Sequence, residues 1–184
     1  VGSITRAVHL CESTLAFGKA EEPSPTLTML LLHDLVEEVV EGERLAAGQV
    51  EVTFSTHVPI SMTIRADPEQ LYRVIANLLR NARQAIMAQG KPGEVTLKGY
   101  EDDAAWWIEI ADTGPGLPLK AREFLFTPFQ GGARKGGSGL GLAISSELIR
   151  GHGGSLALKS SDEHGTCFVI CLPKGDGTVI ASEF

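Results

Sequence analysis

Asn77-Leu78-Leu79-Arg80-Asn81-Ala82 lies in the middle of a stretch, 67–89, that carries two opposite faces. Leu78, Leu79, Ala82 and Ile86 recur at helical spacing and predict a stripe that serves the core. Asn77 and Asn81 are four apart, so one helical turn stacks both amides on the other side. Asp67-Pro68-Glu69-Gln70 predicts the start: Asp67 caps, Pro68 sits where no N–H is needed, and Gln70 reaches back. Gly90-Lys91-Pro92-Gly93 stops the helix. Two amides on one face can offer carbonyl oxygens to a hard cation without adding charge. Spacing alone fits surface asparagines equally well. Arg80 and Arg83 flank the same face, either solvated or within reach of phosphate oxygens.

Downstream, strands are predicted near 94–100 and 105–111, joined by Glu101-Asp102-Asp103. The second runs into Asp112-Thr113-Gly114-Pro115-Gly116-Leu117. A carboxylate there can accept from an exocyclic amine, although Asp-Thr-Gly is also a common turn. Gly114 and Gly116 allow a close approach that a Cβ would block. Residues 118–138 read as loop and contain Leu125-Phe126-Thr127-Pro128-Phe129, whose aromatics, with Phe124, also suit a core. Gly137-Ser138-Gly139-Leu140-Gly141-Leu142 leads into a helix over 140–150. Its free amides and helix dipole suit an anion, and Arg134 and Lys135 lie in the same loop. Strands near 155–160 and 166–172 follow, and His152 in Gly151-His152-Gly153-Gly154 reads as structural.

Upstream, Ile4, Val8, Cys11 and Leu15 predict a helix over 3–19, broken by Glu21-Glu22-Pro23-Ser24-Pro25. A second helix is predicted over 33–47, then strands over 50–58 and 62–65. Strand pairs interleaved with three helices predict an α/β two-layer sandwich, a mixed sheet covered on one face by three helices, plus the N-terminal helix.

With 184 residues, 43% of them hydrophobic, the chain can bury one core. Net charge −7 and pI about 5.2 argue against nucleic acid or an anionic membrane as partner. Cys11, Cys167 and Cys171 show no paired ligand spacing and suit a reducing, cytoplasmic compartment. No apolar run approaches the roughly 18 residues of a membrane span. The start at Val1 rather than Met suits a piece of a longer protein.

The four motifs, in this order, resemble the N box, first glycine box, F box and second glycine box of sensor histidine kinases, members of the GHKL ATPases with gyrase, Hsp90 and MutL. The resemblance covers about Leu35 to Pro173 and implies the Bergerat ATP-binding fold. It implies ATP binding by Asn77, Asn81, Asp112, Gly114, Gly116, Leu117, Lys135, Gly137, Gly139, Leu140, Gly141 and Thr166. Asn81 would hold Mg²⁺, Asp112 would read adenine, the F box would brace the lid over the nucleotide, and Gly165-Thr166-Cys167-Phe168 would be the closing strand. The resemblance makes Asn77 and Asn81 the expected catalytic positions. The hydrolysing branches carry a glutamate where this chain has Asn77, and an amide cannot act as general base.

What remains is phosphoryl transfer to a histidine delivered from elsewhere. No histidine here has the acceptor context: His9 precedes Leu10-Cys11, His33-Asp34-Leu35 is followed by Val36-Glu37-Glu38, and His57 and His164 fall in a strand and a turn. The acceptor helix is therefore expected outside the chain. The implied organisation is 1–22, one helix of the dimerisation and phosphotransfer hairpin; 23–33, hinge; 34–175, ATP-binding catalytic domain; and 176–184, tail. Implied partners are the dimerisation helices of the same homodimeric protein and a response-regulator receiver domain. The Asn-Leu-Leu-Arg-Asn-Ala form looks most like the nitrogen- and oxygen-sensing subgroup. The competing readings are an ATP-binding regulatory module without transfer and an anti-sigma-factor-like serine kinase.

Overall fold

The computed structural model describes residues 23–46, 52–128 and 139–175. The expected helix over 3–19 and the tail 176–184 lie outside them. In chain order the elements are β1 (Thr28–Leu31), α1 (Leu32–Ala46), β2 (Val52–His57), β3 (Thr63–Ala66), α2 (Pro68–Gln89), β4 (Gly93–Glu101), β5 (Ala105–Asp112), α3 (Leu119–Arg122), α4 (Gly141–Gly151), β6 (Ser155–Asp162) and β7 (Gly165–Pro173).

Five strands form one sheet in the order β2-β4-β5-β7-β6, parallel at β2–β4 and antiparallel elsewhere. The expected mixed sheet is present, and the long helices pack together and against it to enclose the core. Val36, Val39 and Val40 of α1 and Leu71, Ile75, Leu78, Leu79 and Ile86 of α2 are almost fully buried with Val95, Leu97, Ile108 and Ile170 of the sheet. The stripe Leu78, Leu79, Ala82 and Ile86 therefore does face the core. Tyr100, Trp107, Glu109 and Lys159 alternate with the core residues along β4, β5 and β6. Glu109 accepts from the Tyr100 hydroxyl and pairs with Lys159 Nζ, each at 2.6 Å. Burial and this bond to Glu109 push the Tyr100 hydroxyl up to about 12.

α2 starts and stops where local chemistry requires. Asp67 Oδ1 accepts from Gln70 N at 3.0 Å, and Gly90 ends the helix with φ 65°. One detail differs from expectation. The Gln70 side chain does not reach back to its cap; its Nε2 donates instead to Pro23 O at 2.8 Å. Asp67 N–H is already committed to His152 Nε2 at 3.0 Å, which leaves Gln70 to the incoming chain.

Two elements were not expected. Residues 28–31, inside the segment read as a hinge, form β1, which pairs antiparallel with β3 in a separate two-stranded sheet. α3 is a single turn within the stretch read as loop. Around it, Leu125 is the buried residue and Phe126 packs against the core, whereas Phe124 is 43% exposed. Smaller shifts affect the ends of β2 and β3: Val58 follows β2, and Met62 precedes β3. Cys167 and Cys171 lie in β7, and burial holds both thiols above their usual range.

Candidate nucleotide site

β5 delivers Asp112 to the edge of the core. Its register partner on β7 is Thr166 and on β4 is Val95. Immediately after the strand the chain folds back tightly. Gly114 N donates to Asp112 Oδ1 at 2.8 Å, Thr113 N donates to Glu94 O at 3.1 Å, and Glu94 N donates to Thr113 Oγ1 at 2.9 Å. These bonds fix the carboxylate against its own turn, in the manner of aspartate turns generally.

The glycines have steric roles here. A Cβ on Gly114 would lie 2.6 Å from Asp112 Oδ1, so a side chain would displace the carboxylate. Gly116 has φ +71°, and a Cβ there would overlap the Asp162 carbonyl of β6. The turn therefore lies directly against the β6–β7 hairpin. Leu117 N donates to Ser161 Oγ at 2.8 Å, and Ser161 Oγ is 3.2 Å from Thr166 Oγ1. Thr166 is buried, at 6% exposure. Arg122 Nε of α3 donates to Leu117 O at 3.0 Å and ties down the far end. Asp112, Gly114, Gly116, Leu117 and Thr166 are thus brought together, by hydrogen bonds and by the packing of Gly116 on Asp162.

The second group is built on helices. Asn77 and Asn81 share one side of α2 and are each partly exposed. Asn77 Nδ2 donates to Ser145 Oγ of α4 at 3.0 Å. A Cβ on Gly141 would overlap the Asn77 amide, so only glycine lets the start of α4 approach α2 this closely. Leu140, 1% exposed, is the N-cap residue of α4 and provides no side-chain cap. Ile144 N is the first amide to bond back, to Leu140 O at 2.9 Å. The amides ahead of it have no carbonyl a turn earlier within the helix, and they carry the positive end of the dipole. Gly139 and Gly141 flank this start, while Lys135, Gly137 and Arg134 lie outside the described residues.

Two sequence-level alternatives are resolved by contacts. Arg83 turns from the asparagine face: Nε pairs with Glu43 of α1 at 2.7 Å, and both side chains are nearly buried. His152 is structural, since its Nδ1–H donates to Leu148 O at 2.7 Å while Nε2 accepts from Asp67 N. Ser145 and Ser161 were absent from the sequence reading. A buried serine four residues after Gly141, on the face that meets Asn77, is the signal that could have identified the first.

Residues 66–176 match the family described as histidine kinase-, DNA gyrase B-, and HSP90-like ATPases, and the chain belongs to it. It is 39% identical over 152 residues to the sensory histidine kinase/phosphatase NtrB of Salmonella typhimurium, covering 77% of this chain and 42% of that protein. The chain thus spans less than half the length of this relative. The catalytic domain of the histidine kinase ThkA superposes with a TM-score of 0.70 at 26% identity, over 80% of this chain and 97% of that domain's chain. Full-length ShkA, solved in complex with AMPPNP, gives a TM-score of 0.74 at 25% identity, over 95% of this chain and 37% of ShkA. The fold is that of histidine kinase catalytic domains, and the family is one of ATP-binding domains. Among the described residues no helix is long and apolar enough to cross a membrane.

Proposed function

We propose that this chain is the ATP-binding catalytic domain of a two-component sensor histidine kinase, working in a reducing, cytoplasmic compartment. The γ-phosphoryl group of ATP would pass to an imidazole nitrogen of a histidine on a dimerisation helix outside the chain, then to an aspartate of a response-regulator receiver. In the first step the bond to the ADP oxygen breaks, an N–P bond forms and the imidazole gives up a proton.

The residues fit a purine nucleotide bound in two halves. Asp112, held by Gly114 N, is a carboxylate at the end of a buried strand, suited to accept from the 6-amino group of adenine. Thr166 and Leu117 border the same space. The start of α4, with Gly139, Leu140 and Gly141 and no side-chain cap from Leu140, suits the phosphates, and Lys135 and Gly137 would complete that side. Asn81 would hold a Mg²⁺ ion through its amide oxygen, and that ion would supply neutralisation of phosphate charge. The chain's own contribution is positioning and charge compensation.

One observation favours transfer over hydrolysis. Asn77 stands where the hydrolysing relatives place a glutamate, and its Nδ2 donates to Ser145. An amide in that contact cannot take a proton from water. The test is incubation of the chain with labelled ATP, Mg²⁺ and a separately produced histidine-bearing dimerisation hairpin. Acid-labile label on that histidine is the expected result. Acid-stable label on serine, or rapid release of free phosphate without transfer, would contradict the proposal.

A further inference from the structure

The incoming chain and the far end of α4 meet at one carboxylate. Asp67 Oδ1 caps α2 through Gln70 N, and Oδ2 accepts from Thr26 N at 2.8 Å. Its backbone N–H donates to His152 Nε2, and the other ring nitrogen of His152 holds Leu148 O in the last turn of α4. Gln70, 6% exposed, adds a second tie through Pro23 O. The Pro25 ring packs on Gly151, where an added Cβ would lie 3.6 Å from Pro25 Cδ. Segment 23–26 therefore touches the first turn of α2 and the last turn of α4 together.

The same two helices meet again at the nucleotide site, where Asn77 of α2 holds Ser145 and abuts Gly141. Asp67 and Asn77 are separated by about 15 Å of α2, at roughly 1.5 Å per residue. His152 and Gly141 are separated by a similar length of α4. The helices thus run antiparallel, and α4 is pinned near both of its ends. A helix pinned at two points cannot slide or roll without breaking one pin, so strain on segment 23–26 reaches the start of α4.

We propose that Asp67 is a positioning residue: with Gln70 and His152 it clasps segment 23–26 to α2 and α4, coupling the direction from which the chain arrives to the phosphate end of the nucleotide site. Coupling of this kind is reciprocal, so nucleotide at α4 tightens the clasp as the clasp tightens α4. Asp67→Ser keeps an N-cap oxygen for α2 and removes the atom that holds Thr26. Gln70→Leu breaks the Pro23 tie alone.

The experiment is amide hydrogen exchange on the whole chain, free and with ATP and Mg²⁺, combined with ATP titration of each variant. In both variants the Ile144 and Ser145 amides should exchange at least about fivefold faster while β5 and β7 amides are unchanged. ATP affinity should fall by a similar factor, the lower end of common coupling strengths. In the unaltered protein, ATP should slow exchange of the Thr26 amide. The affinity arm rests on the proposed ATP reading, whereas the exchange arm without nucleotide does not. If the unaltered chain fails to bind ATP, that reading falls and the exchange arm alone decides the clasp. A freely exchanging Thr26 amide with α4 unchanged would overturn the clasp, as would a uniform rise across helices and sheet.

Discussion

The two halves of the site are held in different ways. The Asp112 half is built on the sheet: β5 lies between β4 and β7, and the turn after Asp112 is fixed by Glu94, Ser161 and its own carboxylate. Asp112, Glu94 and Ser161, which hold this turn, all belong to strands of the sheet. The α4 half rests on contacts between helices, through Asn77–Ser145 at one end and Asp67–His152 at the other. Breaking a ladder costs several bonds at once, while shifting a helix costs one or two side-chain contacts. On the proposed reading, the base end of the site is thus the more rigid half and the phosphate end the more adjustable one.

That contrast can be broken most severely at Gly116. Gly116→Val would place a β-branched residue at φ +71° and drive its Cβ into the Asp162 carbonyl. We expect a loss of about 3 kcal/mol of stability, read from denaturant midpoints. Asp112→Asn should leave the fold intact and weaken ATP binding by about 10- to 100-fold. That factor corresponds to loss of a hydrogen bond to a charged group. Equal affinity for ATP in the two proteins would remove Asp112 from base recognition.

Ser145→Ala acts on the adjustable half. It deprives Asn77 Nδ2 of its acceptor and should cost about 1 kcal/mol, with faster amide exchange in α4 and none in β5. The smallest effect concerns acid. Hydrogen bonds from Gln70 N and, after a smaller opposing cost of burial, from Thr26 N hold the Asp67 carboxyl below its ordinary 3.8. A depressed folded-state value means stability present above about pH 4 and lost as pH falls through the folded value. The stability gap between the unaltered chain and Asp67→Ser should therefore narrow below pH 4 in urea titrations.

Much of this was legible in the sequence where the determinants are local. Asp67, Pro68 and Gly90 set the ends of α2, and the order of the Asn77, Asp112 and Gly137 motifs gave the family before any contact was known. Pairings across the chain were hidden. β1 is four residues whose partner strand lies beyond α1 and β2, so nothing near Thr28 announces it. Gln70 looked like half of a capping box because its competing partner, Pro23 O, lies 47 residues away. Arg83 read as solvated or within reach of phosphate, and neither reading found Glu43, because that partner is on another helix. Ser161 joins Leu117 to Thr166 only once β6 and β7 have paired, and a serine in a polar strand carries no periodic signal.

The most direct test of the central claim is calorimetric titration of this chain with ATP, ADP and GTP, each with and without Mg²⁺. The account predicts binding of ATP and ADP but not GTP, strengthened for ATP by Mg²⁺, with little turnover. Equal binding of ATP and GTP, or no binding under any condition, would contradict it.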